Sequence, residues 1–182
     1  MRPLPQDPAA EQATLGCILL RPPLLDACVE AGLKPEDFSQ PGHRALYGAL
    51  LEMGAADEPV DMVTLPARLQ ARRELDLVGG LRALTDYSAA VGSSHNLPAY
   101  ISAVRRSADL RSLIVDLDSA LQAASEPGAD PDAVLEQAES AVYALRSSGQ
   151  GKRAGWQPIG RVLDAAYSAL EARHRNPSGA VG

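Results

Sequence analysis

Residues 96–145 read NLPAYISAVRRSADLRSLIVDLDSALQAASEPGADPDAVLEQAESAVYAL, and this stretch decides the fold. Asn96 is placed to cap a helix and Pro98 falls in its first turn, where a missing N–H costs nothing. No breaker then occurs until Glu126, Pro127 and Gly128. Within that run Leu110, Ile114, Leu117 and Leu121 step by four, three and four, the spacing of an apolar seam along one helix face. Asp130 and Pro131 restart a second helix, in which Leu135, Ala138, Val142 and Leu145 repeat the pattern. The reading is an antiparallel helical hairpin over 96–146. Its first arm, at 1.5 Å per residue, is roughly 42 Å long, too long to be enclosed by a small domain, so it projects. Two helices alone stabilise each other poorly in water, and a second hairpin from another copy is the expected cover for these seams.

Toward the N-terminus the punctuation is denser and the helices shorter. Asp7 and Pro8 make an N-cap and first-turn pair for a helix to about Leu20, and Pro22 with Pro23 permits the next, which stops at Gly32. Pro35 to Phe38 has room for one turn. Pro41 opens a helix carrying Leu46, Leu50 and Met53, which Gly54 is expected to end. Thr64 is a candidate cap for a helix to about Arg73, and another runs from Leu81 to Val91 after the Gly79–Gly80 turn. No segment alternates as a strand. The expected fold is all-α, with a compact helical head over 1–95 that carries the hairpin within one N-terminal domain.

Beyond the hairpin, residues 147–157 are rich in Ser, Gly and cations and read as a flexible linker. Pro158 then opens a helix to about 176 whose Ile159, Val162, Leu163, Ala166, Tyr167 and Leu170 make a single apolar stripe. Nothing in its own chain is obviously available to cover that stripe, so docking on another subunit or domain is expected.

Composition limits the chemistry. The 182 residues are 46% hydrophobic and only 4% aromatic, which suits helices rather than a β-sandwich. Net charge is −6, the body being acidic and residues 148–182 basic, so these residues are not expected to bind nucleic acid by themselves. No apolar run approaches the roughly 18 residues of a membrane span. Cys17 and Cys28 form no CxxC and have no neighbouring histidine, and read as buried free thiols. Gly151 and Lys152 lack the preceding glycine and following Ser or Thr of a phosphate loop, and His43, His95 and His174 are isolated. Asp57, Glu58 and Asp61 flank Pro59 ahead of a helix, where acids favour the helix N-terminus. No catalytic residue, nucleotide site or metal site is expected, and the residues describe a helical binding and assembly module. The rival reading is a stand-alone helical adaptor or scaffold without a motor domain.

Several of these residues also carry a family pattern. Ala10, Glu11 and Gln12 with Leu15 and Gly16, Asp37 and Phe38, His43 and Arg44 with Tyr47, Pro59 to Asp61 with Thr64 and Leu65, Gly79 and Gly80, Asn96 and Tyr100, and Arg111 follow one another in register. The chain thereby resembles the N-terminal region of DnaB-type replicative DNA helicases. That resemblance implies a collar built as a trimer of dimers within a hexamer, with subunits pairing through the hairpins. It also implies docking of the primase C-terminal domain, with Tyr100 near the hairpin base as a candidate contact, and leaves a helicase loader open as a further partner. The 158–176 helix would pack on the adjacent subunit's motor domain, and residues 177–182 would begin the connection to a RecA-like ATPase. ATP and Mg would belong to that motor, DNA would be held by the parent ring, and the location would be the cytosol or nucleoid of a bacterium.

Overall fold

The structure, a computed structural model, describes residues 3–89, 91 and 93–148. The expected linker, the 158–176 helix with its docking stripe, and residues 177–182 lie outside the described residues. The fold is all-α: eight α-helices, two short 3-10 turns and no strand among the described residues. Helices α1 (Pro8–Leu20), α2 (Leu24–Glu30), α3 (Pro41–Ala55), α4 (Thr64–Ala71), α5 (Leu75–Val78) and α6 (Gly80–Ala89) make the head. The hairpin is α7 (Leu97–Ser125) and α8 (Pro131–Ser148).

Local chemistry explains most boundaries. The Asp7 carboxylate accepts the Ala10 N–H at 3.0 Å, one of the donors that a helix start leaves without a partner. Gly32, at φ 72°, takes the left-handed turn after α2. Two expectations are corrected. Gly54 does not end its helix, because α3 continues to Ala55 and Asp57, at φ 54°, makes the reversal instead. Thr64 is the first residue of α4 rather than its cap; Asp61 does the capping, accepting the N–H groups of Val63 at 2.7 Å and Thr64 at 2.8 Å.

Helix α1 lies at the centre, packed against α3, α6 and α7. Its Leu15 and Ile18 meet a core that includes Phe38, Leu46, Tyr47, Leu50 and Met53, all fully buried. The Phe38 and Tyr47 rings lie 4.9 Å apart, and the Tyr47 hydroxyl donates to the Leu33 carbonyl at 3.2 Å. Gly16 lets α1 touch α6, since a Cβ there would sit 2.2 Å from the Tyr87 carbonyl oxygen.

The most deeply buried charged group is Glu11 on α1, 1% exposed. One carboxylate oxygen accepts the Ser39 N–H at 2.7 Å; the other accepts the Gln40 N–H at 3.3 Å and the His43 Nδ1–H at 2.7 Å. These donors surround the start of α3, where a carboxylate also meets the positive end of the helix. The His43 ring meets Tyr87 edge-on at 5.5 Å, joining α3 to α6. Burial pushes the Glu11 carboxyl up, but hydrogen bonds from His43, Ser39 and Gln40 outweigh it and hold the group below its ordinary value.

Glu11 therefore contributes stability that is complete above the ordinary carboxyl range and is lost as pH falls through its depressed folded value. Glu11→Ala is expected to destabilise the chain by about 3 kcal/mol at pH 7, read by urea unfolding, and to flatten the pH dependence between about pH 5 and 3. Gly16→Ala, which forces α1 and α6 apart, is expected to cost about 2–3 kcal/mol by the same measurement.

Candidate functional site

The hairpin carries two stripes, one residue out of phase. Facing inward are Leu113, Asp116, Ala120 and Ala123 on α7, and Val134, Ala138, Ala141 and Leu145 on α8, all half-buried or buried. The best-covered of these are alanines, Ala120 at 5% and Ala141 at 7% exposure. Small side chains let two helices approach closely but remove little apolar surface from water. A hydrogen bond from the Gln137 side-chain amide to the Ser119 hydroxyl, 3.0 Å, also links the arms.

The second stripe faces outward. Leu110, Ile114, Leu117 and Leu121 on α7 and Leu135 and Val142 on α8 are all at least 40% exposed, with Val115 and Tyr143 beside them. The seam read from leucine spacing is thus largely not the one the arms share: only Ala138 and Leu145 of the expected set face inward. Tyr100 belongs to neither stripe, being half-buried on the first turns of α7 and packed against the head core. From 112 to 145 the chain carries seven carboxylates and no Lys or Arg. The outer stripe is therefore apolar, on a hairpin that is acidic as a whole.

At its base α7 is held by two arginines that periodicity could not single out. The Arg105 guanidinium donates to the Ala31 carbonyl at the end of α2, the negative end of a helix. Arg111 donates to the Pro5 carbonyl at 3.0 Å and to the Asp37 carbonyl. Asp37 and Asp109 lie near Arg105, and burial raises both carboxyls above their ordinary values.

Nothing among the described residues groups three metal-ligating side chains, and no described helix is long and apolar enough to cross a membrane. Cys17 and Cys28 are free and buried. Burial, with Cys17 nearby, pushes the Cys28 thiol up to about 12, which leaves it protonated and unreactive at neutral pH.

The described residues form a helical head and a projecting hairpin with an exposed apolar face, the architecture of a helical N-terminal domain. The chain belongs to the DnaB-like helicase N-terminal domain family, which matches residues 3–106. It is 32% identical over 178 residues to the replicative DNA helicase DnaC of Bacillus subtilis and 31% identical over 179 residues to the replicative DNA helicase DnaB of Geobacillus stearothermophilus. Each match covers 98% of this chain and 38% of the relative, so the chain spans well under half the length of these helicases. Among solved structures, the N-terminal domain of DnaB helicase from Mycobacterium tuberculosis is 35% identical, with a TM-score of 0.71 over 78% of this chain and 99% of that one. A DnaB-like replicative helicase, described with its interactions with primase, is 25% identical, with a TM-score of 0.65 over 91% of this chain and 36% of that one. The region held in common with these structures includes the helicase N-terminal domain.

The two stripes separate folding from association. Leu117→Asp, on the outer stripe, is expected to change the melting temperature by less than about 2 °C at concentrations where the chain is monomeric, because the charge stays in water. Ala141→Asp, between the arms, is expected to lower hairpin helicity measured by circular dichroism, since the carboxylate must be desolvated or the arms must part.

Proposed function

We propose that this chain is the collar domain of a hexameric replicative DNA helicase, where it pairs subunits and docks primase. The observation that carries the reading is the outward stripe from Leu110 to Leu121, continued by Leu135 and Val142, left uncovered on a hairpin whose own arms meet mainly through alanines. Each leucine or isoleucine covered by a partner contributes on the order of 1 kcal/mol or more, so two copies of the stripe supply a substantial association energy. The family membership supports the same reading, as does the relative described together with primase.

On this reading hairpins pair into dimers and three dimers close the collar. The C-terminal domain of primase binds that collar, with Tyr100 placed at the hairpin base, and a helicase loader is a further partner. The 158–176 stripe of Ile159, Val162, Leu163, Ala166, Tyr167 and Leu170 docks on the adjacent subunit's motor domain. The parent protein hydrolyses ATP with Mg in that motor and unwinds DNA in the bacterial cytosol. This chain contributes assembly and coupling, not chemistry.

Sedimentation velocity on the 182-residue chain across a wide concentration range tests the pairing. Dimers or multiples of dimers are expected, with Leu117→Asp weakening association at least tenfold, about 1.4 kcal/mol. A monomer at every concentration would overturn hairpin pairing as the source of assembly. Titration of the cognate primase C-terminal domain onto the assembled collar is expected to give a dissociation constant of submicromolar to micromolar order.

A further inference from the structure

Helix α7 packs on α1 and on the turn at Asp37. Along it Leu97, Ile101 and Val104 are buried in the head core, with Tyr100 and Ala103 packed against that core, and Ala120, about four turns beyond Val104, is buried again. Between these lie Arg105 and Arg111, six residues and about 9 Å apart along the helix. Both donate to main-chain carbonyls of the head and its N-terminal segment. Arg111 is the farther out, and its one guanidinium joins three segments: α7, the chain before α1 through the Pro5 carbonyl, and the 3-10 turn Pro35–Asp37 through the Asp37 carbonyl. The planar, forked guanidinium can engage two carbonyls in fixed directions at once, which a lysine ammonium on a flexible stem does not reproduce. Burial weighs against the Arg111 charge and lowers its ordinary value, with Glu11 the leading opposing influence.

We infer that Arg111 is a positioning residue: it latches α7 to the Pro5 and Asp37 carbonyls and so fixes the angle at which the hairpin projects. Leverage makes that angle consequential. From Val104 to the end of α7 is about 31 Å, so 10° of slack at the base moves the hairpin end by about 5 Å. Packed contacts are lost over a fraction of that distance. The latch itself rests only on the head–hairpin geometry; its consequence for pairing rests on the collar reading above.

The test is a pulsed electron–electron distance measurement. Nitroxides are attached to Leu81→Cys on the head and Ala124→Cys near the hairpin end, both exposed, with labelled chains diluted in unlabelled ones so that a single molecule is read. Cys17 and Cys28 are buried and resist labelling. With Arg111 in place a single narrow distance distribution is expected. Arg111→Met is expected at least to double its width, while Arg111→Lys, which keeps the charge and one carbonyl contact, falls between. Should Arg111→Met fail to fold by thermal melting, Arg111→Lys against the unaltered chain carries the same comparison. Equal widths in folded variants would overturn the latch. A broadened distribution with unchanged sedimentation would uphold the latch and remove its consequence for pairing, so the two readings fail separately.

Discussion

The Glu11 carboxylate is the constraint from which the head is built. A buried anion is tolerable only when its lone pairs are taken up, and here the start of α3 supplies two backbone N–H groups and the His43 imidazole. That arrangement sets α1 and α3 at one distance and one register, and His43 then reaches Tyr87 on α6. Phe38, adjacent to the clamped residues, is thereby turned into the core against Tyr47. The same turn presents the Asp37 carbonyl to Arg111. A single ion thus organises both the interior and the surface from which the hairpin departs.

Features that act over a few residues were legible in the chain. Asp7 before Pro8, Gly32 after α2, and Pro131 at the hairpin return each act within a few residues of themselves, and the helices begin or end beside them. Gly54 misled because glycine weakens a helix without ending it, and α3 has enough buried contacts to continue past it. The four residues of α5 are too few to show a period. Leucine and isoleucine spacing picked out the outward stripe, while the stripe the arms share, one position away, gave little signal because its best-covered members, Ala120 and Ala141, are small.

Contacts remote in sequence were not legible at all. Arg111 meets a carbonyl 106 residues away, and Arg105 one 74 residues away, with no local pattern to announce either. Glu11 and His43 were visible as part of a family pattern, but their bond became apparent only when α1 and α3 were set side by side. A main-chain carbonyl accepts a hydrogen bond whatever its side chain, so such attachments leave a signature on only one of the two partners.

If hairpins pair as proposed, their charge would give assembly a particular dependence on its surroundings. Pairing would bring together seven carboxylates from each copy, with no Lys or Arg between residues 112 and 145 to offset them. Apolar contact must overcome that repulsion, which dissolved ions screen over about 8 Å at physiological ionic strength. On the proposed collar reading added salt would tighten pairing, whereas it loosens a protein's grip on a phosphate backbone because counterions released into a saltier medium gain less entropy. Subunit cohesion and hold on a nucleic-acid strand would then respond to the ionic medium in opposite senses, each gaining where the other loses.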